Sequence, residues 1–271
     1  MFIMKTSRSM PYYSFLIFSI MLIIGGISTF LIPSLSILFY FIPALIIGVL
    51  IFYIIKKPAS WIGLSLSNLK AVFTSSLLSF ISAIFLILLH LLILLAFSFG
   101  YLVVSPQCTT DSSFFIVVLI GGILTQLIVA FFEEFIFRGF ILSEINETLG
   151  MFWAVIISSV MFSFAHIYAV YLLSQKIAFN IAVFLLNMFL GGVILAILRL
   201  NKNTLYAPMA FHFAWNFFGY HIFGLLNPQL SFYEFVYTQN IYWVGFEVSI
   251  LGSLIFAVGI LIAYSLRRIE F

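Results

Sequence analysis

The sequence has very few charged residues. Only 7% of its 271 residues are Asp, Glu, Lys or Arg, whereas 65% are hydrophobic and the mean hydropathy is +1.28. An average soluble protein carries about 25% charged residues, so this composition excludes a soluble globular domain. There is also no long basic run, which excludes a nucleic-acid-binding module. The composition predicts an all-α fold, a polytopic bundle of transmembrane helices with the lipid bilayer as a partner.

Cysteine is nearly absent as well. Cys108 is the one cysteine, so the chain cannot form an internal disulfide, and it has no CxxC motif for a redox or thiolate metal site. Near the N-terminus, Lys5 and Arg8 precede a long apolar run that lacks a small-residue cleavage site. We therefore expect a retained first helix rather than a cleaved signal peptide.

Long apolar runs are abundant. A run of about 20 apolar residues crosses a hydrocarbon core about 30 Å thick. The sequence predicts about eight such spans, at 12–32, 36–55, 71–100, 114–145, 151–168, 177–198, 205–223 and 243–266, with Pro33 in the first turn. The segment 59–70 is short and amphipathic, which predicts that it lies in the membrane interface.

The spans predict a single membrane domain over 1–271. It comprises three N-terminal helices with the interfacial segment at 1–110, a motif-bearing core at 111–225, and an outer loop with the last helix at 226–271. Nearly all basic residues fall on one side of this arrangement, and only Lys176 falls on the other. By the positive-inside rule, we expect both termini in the cytoplasm, and the composition favours a bacterial plasma membrane. No oligomeric state is predicted.

Three charges interrupt the fourth span. Glu133, Glu134 and Arg138 lie in a stretch that is otherwise aromatic and aliphatic, and each charge costs roughly 2.5–3.5 kcal/mol in hydrocarbon. They must therefore face a protein interior or a wet cavity. Glu134 and Arg138 are spaced to pair along a helix, whereas Glu133 points about 100° away and is available for chemistry. The alternative is a structural ion-pair cluster between helices.

Other spans carry polar residues at a matching depth. Glu133 and His166 each lie 16–17 residues from the turn between their spans, so both stand about 25 Å from it along antiparallel helices. His212 and Asn216 share one face of the seventh span. We expect these four residues and Glu134 to converge in an intramembrane pocket open toward the cytoplasm. Hydrogen bonding between helices is the alternative role.

Five further polar residues are expected to have structural or surface positions. His90 has no motif around it and is interpreted as structural, and His221 is expected near the outer surface. Glu247 is placed near the outer end of the last span, where it would be solvated. Arg199 and Lys202 are interpreted as cytoplasmic anchors.

Three motifs follow one another along the chain: Glu133-Glu134-x-x-x-Arg138, Phe162-x-x-x-His166 and His212-x-x-x-Asn216. In this order they resemble the CAAX-protease and bacteriocin-processing (CPBP) family of intramembrane endopeptidases, over about residues 114–220. The resemblance implies a protease whose substrates are leader peptides, bacteriocin precursors or prenylated tails. Other intramembrane proteases are disfavoured because the sequence has no HExxH, GxSG or GxGD motif.

The predicted pocket suits hydrolysis of a peptide bond by an activated water. Glu133 is our candidate general base, because its neighbour Glu134 has an arginine at pairing distance. His166 would share the water or protonate the leaving amine, while His212 and Asn216 would hold the oxyanion. The family resemblance implies the same roles.

A zinc ion is an alternative in the same pocket. Two histidines and a carboxylate form a known catalytic zinc set, which makes Glu133, His166 and His212 the candidate ligands. Asn216 is a poor zinc ligand and favours the metal-free version. No cofactor is therefore assigned, and zinc stays open.

Two non-peptidase functions are also compatible with these residues. A membrane immunity or regulatory partner, as in bacteriocin self-immunity, could keep the pocket without using its chemistry. A secondary transporter could use Glu133 and Glu134 as a proton relay, but it would predict inverted repeats, and the sequence shows no internal symmetry. The prediction is an intramembrane endopeptidase, with the immunity-type partner as the alternative.

Overall fold

The structure is a computed structural model that describes residues 11–27, 38–174, 179–226 and 230–266. Most of these residues are helical. The α-helices are α1 (Tyr12–Gly26), α2 (Leu38–Val49), α3 (Leu69–Ala96), α4 (Pro106–Thr110), α5 (Ser112–Ile116), α6 (Gly122–Glu134), α7 (Leu142–Leu149), α8 (Met151–Ala165), α9 (Ile167–Ser174), α10 (Ile181–Lys202), α11 (Tyr206–Asn216), α12 (Ile241–Val244) and α13 (Ile250–Leu266). Four stretches are π-helical, Leu50–Ile55, Val117–Gly121, Phe135–Ile141 and Phe217–Ile222, and Ala59–Ile62 is a 3-10 helix.

The described ranges contain 4 helices that are long and apolar enough to cross a membrane: Leu69–Ala96, Ser113–Leu149, Met151–Leu173 and Ile181–Lys202. Three apolar helices are shorter: Tyr12–Gly26, Ile42–Ile55 and Ile250–Leu266. A helical bundle of membrane type is therefore confirmed, while the count of eight crossings stays a prediction. Pro33, Lys5, Arg8 and Lys176 lie outside the described residues.

A small sheet corrects the wholly helical prediction. Strand β1 (Gly100–Val104) pairs antiparallel with β2 (Tyr233–Tyr237), and Leu102 lies opposite Phe235. The third span was predicted to run to residue 100, but α3 ends at Ala96. Tyrosine, valine and phenylalanine suit a pleated, half-buried surface, so the connections after α3 and before α12 pair with each other.

Local signals in the sequence set several helix boundaries. The Asn68 side chain caps α3 by accepting a hydrogen bond from the Ala71 amide at 3.0 Å, an arrangement typical of helix N-termini. Asn180 caps α10 in the same way, at 3.1 Å from the Val183 amide. Gly150 has a φ of +89° between α7 and α8, a conformation that glycine adopts at no steric cost. The hairpin turn predicted there is confirmed.

Close packing of α8 against α10 brings the motif helices together. A Cβ atom at Gly192 would stand 2.9 Å from the Ser159 Cβ, so the two helices approach almost to backbone contact. Small residues permit this approach between membrane helices. Helix α11 packs against α3 and α6, and the π stretch after α6 packs against α8. Helices α6, α8, α10 and α11 therefore enclose one interior space.

The segment predicted to lie in the interface packs on the bundle. Ile62 is 1% exposed, and the Trp61 ring meets the Phe140 ring edge-on with centroids 5.9 Å apart. The Ser143 hydroxyl donates to the Trp61 carbonyl at 3.0 Å. The 3-10 helix is thereby attached to the chain just after the glutamate pair.

Arg199 is buried, which corrects the prediction that it is a surface anchor. Its side chain donates to Asn203 Oδ1 at 2.6 Å and to the Trp61 carbonyl at 3.2 Å. Gly63, with a φ of +84°, leaves room for the guanidinium, because a Cβ there would stand 2.7 Å from it. Arg199 therefore fastens the 59–63 segment to α10.

Candidate active site

A cavity of about 410 Å³ lies inside the bundle. Four of the predicted site residues line it: Glu133, His166, His212 and Asn216. Glu134 is fully buried and does not line the cavity. The three motifs, which lie far apart in the sequence, therefore meet at one place.

His212 on α11 connects the two glutamates of α6. Its Nδ1 lies 2.8 Å from Glu134 Oε1, and its Nε2 lies 3.7 Å from Glu133 Oε2. An ionised carboxylate only accepts hydrogen bonds, so Nδ1 donates to Glu134. The opposite nitrogen is therefore on the side of Glu133 and the cavity.

The predicted pair between Glu134 and Arg138 is confirmed. Arg138 Nη1 donates to Glu134 Oε1 at 3.2 Å, and Nη2 donates to the Gly192 carbonyl at 3.2 Å. Both charged side chains are fully buried. The guanidinium carbon also lies 4.1 Å from the centroid of the Phe162 ring, within cation–π range. Arg138 thus connects α6, α8 and α10 to one another.

His166 occupies the break between α8 and α9. Its Nδ1 lies 2.8 Å from the Phe162 carbonyl, and a carbonyl can only accept, so Nδ1 carries the proton in the neutral ring. The other nitrogen, Nε2, is then an acceptor. Since His166 lines the cavity, it can receive a proton there.

Asn216 is the last residue of α11 before the π stretch that follows it. It lies one turn after His212, lines the cavity and is 8% exposed. Its side-chain amide supplies two N–H donors. His212 and Asn216 therefore present polar groups to the cavity from the same helix face, as their spacing predicted.

A comparison with known protein families gives a match over the part of the chain that carries these residues. Residues 113–218 match the family model described as type II CAAX prenyl endopeptidase, Rce1-like. This part of the chain is therefore similar to Rce1-like proteins. The match confirms the resemblance to CAAX proteases and, with the long apolar helices, indicates an integral membrane protein. Comparisons with curated proteins and with solved structures give no match.

Glu247 is a cavity residue that the sequence interpretation misplaced. It was expected to be solvated, yet it is 4% exposed and lines the same cavity, and it lies outside the matched residues 113–218. Its Oε1 accepts a hydrogen bond from Trp215 Nε1 at 2.5 Å, and its Oε2 accepts one from the Tyr220 hydroxyl. The predicted helix over 243–266 is interrupted between α12 and α13, which is how Glu247 reaches the interior.

A signal for Glu247 was present in the sequence. An ionisable residue between apolar stretches of a membrane protein is a functional candidate by default. Glu247 has no polar residue at i+3 or i+4, so spacing alone did not connect it with the three motifs.

The remaining histidines lie apart from the motif residues. His90 is fully buried with Nε2 3.2 Å from the Val244 carbonyl, as expected of a structural residue. His221 is half-buried, with its ring nitrogens 3.1 Å from Gln126 Nε2 and 2.9 Å from the Leu230 carbonyl. It connects α6 with the segment that leads to β2.

The zinc candidates Glu133, His166 and His212 do not form a metal site in this arrangement. Among the described residues, no group of three His, Cys, Asp or Glu side chains is placed to hold a metal ion. The residues present do not fit a three-ligand zinc site, so no chemical step is assigned to zinc.

Proposed function

We propose that this protein is an intramembrane endopeptidase that hydrolyses a peptide bond in a peptide or a membrane-anchored protein. The observation that carries the proposal is the meeting of Glu133, His166, His212 and Asn216 around one cavity inside the bundle. The Rce1-like match over the same helices supports a CAAX-type protease at family level. The comparisons give no support to the immunity-type alternative.

Glu133 is the general base of the proposed reaction. Its carboxylate takes a proton from a water in the cavity, and the resulting hydroxide adds to the carbonyl carbon of the substrate. His166 hydrogen-bonds the same water through Nε2, because its Nδ1 is occupied by the Phe162 carbonyl. Such general acid–base assistance is worth about 10²–10⁴-fold in rate.

Asn216 and His212 hold the negative oxygen of the tetrahedral intermediate. The Asn216 amide donates one hydrogen bond, and His212, when protonated on both nitrogens, donates a second through Nε2. Glu134 and Arg138 are positioning residues, because Glu134 accepts from His212 Nδ1 and Arg138 fixes Glu134. Each of the two oxyanion donors, Asn216 and His212, contributes about 10²–10³-fold to turnover.

Collapse of the intermediate completes the reaction. The carbon–nitrogen bond breaks, and the leaving amine receives the proton that Glu133 took from the water, either directly or through His166. The carbonyl carbon keeps the hydroxyl oxygen and leaves as a carboxylic acid. Glu133 is thereby returned to its ionised form.

The test is cleavage of a farnesylated CAAX peptide and of an unmodified leader peptide by the purified full chain, with products identified by mass spectrometry. We expect Glu133→Gln to lower turnover by about 10²–10⁴-fold while the protein stays folded. Cleavage by Glu133→Gln at the normal rate would overturn the proposal. The same cleavage assay with a chelator added tests the zinc alternative, and we expect turnover to persist in the presence of the chelator.

Glu144→Gln is the matched control for this test. Glu144 is also a buried glutamate, at 8% exposure, but it lies on α7 and accepts hydrogen bonds from Ser14 instead of lining the cavity. We expect its neutralisation to leave turnover near that of the unmodified protein.

A further inference from the structure

The cavity contains a second carboxylate that the proposed reaction does not use. Glu247 enters it from the connection between α12 and α13. It lines the same cavity as His166 and His212, so a group bound at Glu247 also lies close to the reacting groups. Among the described residues that line the cavity, two are glutamates and none is lysine or arginine.

The hydrogen bonds to Glu247 orient its carboxylate without balancing its charge. Trp215 and Tyr220 supply one neutral donor to each oxygen, and a carboxylate oxygen can accept more than one hydrogen bond. Within the described ranges, no lysine or arginine forms an ion pair with Glu247. Glu134 differs, since Arg138 balances it. A buried charge is costly unless it is paired, so a cation that binds beside Glu247 would stabilise its ionised form.

We infer that Glu247 forms a subsite for a cationic group of the substrate, a lysine or arginine side chain or a free amino group near the bond to be cut. An ammonium or guanidinium group would make a charge-assisted hydrogen bond with the carboxylate. The apolar side chains of Phe184, Met188 and Phe256 in the same lining would contact its aliphatic stem. Acidic segments would be repelled by Glu247 and Glu133 together.

The inference depends on the proposed function only because it calls the ligand a substrate. Its test therefore measures binding and not cleavage. The parent protein is the full chain with Glu133→Gln, which binds without cutting. The probe is an apolar hexapeptide with blocked ends, a neutral fluorophore and one central lysine. Two further peptides replace that lysine by norleucine or by glutamate. Fluorescence anisotropy gives the dissociation constant of each in detergent micelles.

The parent should bind the lysine peptide more tightly than the norleucine peptide, and the glutamate peptide least tightly. Adding Glu247→Gln should reduce the preference for lysine over norleucine by about 30-fold or more, as expected when one partner of a buried charge pair is removed. Glu247→Gln keeps the shape of the side chain and an acceptor for one of its two donors.

A control variant in the same parent distinguishes a subsite from general damage. Glu144→Gln removes a buried charge outside the cavity, so it should keep the lysine preference. The inference is overturned if the parent shows no preference for lysine, if it binds none of the peptides, or if Glu247→Gln leaves the preference unchanged. Should Glu247→Gln not fold, the order in which the parent protein binds the three peptides decides.

Discussion

Two arginines are buried in the described part of the chain, and they differ in what they neutralise. Arg138 is 0% exposed and Arg199 is 2% exposed. Arg138 donates to the Glu134 carboxylate and to a backbone carbonyl. Arg199 donates to the Asn203 amide oxygen and to a backbone carbonyl. One therefore balances a charge of the candidate site, and the other contacts only neutral acceptors.

The difference teaches how to interpret a buried cation in a membrane protein. Removing Arg138 would leave the fully buried Glu134 carboxylate without its arginine, although His212 would still donate to it. Removing Arg199 would take a donor from two neutral oxygens, and one of them, the Trp61 carbonyl, keeps Ser143 as a donor. The free energy at stake is larger in the first case, because an unpaired buried charge costs far more than an unpaired polar group. Each of the following predictions tests this contrast.

The largest effect is expected for Arg138→Ala. Breaking a buried ion pair by removing one partner costs about 3–5 kcal/mol, so we expect little folded protein and a much lower midpoint of thermal unfolding. Size-exclusion chromatography after a temperature series measures both. Combining the change with Glu134→Gln should restore part of the loss, since the stranded charge is then gone. Normal thermal unfolding of Arg138→Ala would show that the pair does not stabilise the fold.

Asn216→Ala should separate the charge network from the chemistry. Asn216 lies one helical turn from His212, which donates to Glu134, but it carries no charge, so folding should change little. Loss of one oxyanion donor should lower turnover by about 10²–10³-fold. Peptide cleavage measured per folded molecule, with thermal unfolding alongside, checks this. A loss of fold equal to that of Arg138→Ala would contradict the proposed division between positioning and catalysis.

Arg199→Ala should have the smallest of the three effects. Hydrogen bonds to a charged group contribute about 1.5–3 kcal/mol, and no carboxylate is stranded, so we expect a moderate decrease in the free energy of unfolding and retained cleavage by the folded fraction. Ser143→Ala is the matched control, because Ser143 donates to the same Trp61 carbonyl as a neutral group worth about 0.5–1.5 kcal/mol. Equal losses for Arg199→Ala and Arg138→Ala would remove the contrast.

Much of the candidate site was predictable because its residues have regular spacing within helices. Glu134 and Arg138 are one turn apart, as are His212 and Asn216, and helical geometry alone places each pair on one face. The depth of His166 followed from the hairpin turn that Gly150 makes. What spacing cannot give is contact between helices, such as the 2.8 Å hydrogen bond from His212 to Glu134.

The misplaced residues depend on irregular backbone and on contacts across long separations in the sequence. The run 243–266 is apolar enough to predict one helix, and only the break between α12 and α13 turns Glu247 inward. Arg199 stands near the end of a span, as a surface anchor would, but Trp61 and Gly63 from a distant segment cover it. The β1–β2 pairing likewise joins two connections that nothing in local composition relates.

The π stretch Phe135–Ile141 sets the direction, around the helix axis, in which the residues that follow it on the same helix point. Such wide turns typically accommodate an extra residue relative to a regular α-helix, and one residue corresponds to a rotation of about 100°. Deleting a single residue there would swing Ser143 away from Trp61 and Glu144 away from Ser14. The glutamate pair upstream would keep its orientation. The length of this stretch therefore determines, independently of its side chains, how α1 and the 3-10 helix attach to the helices that carry the candidate site.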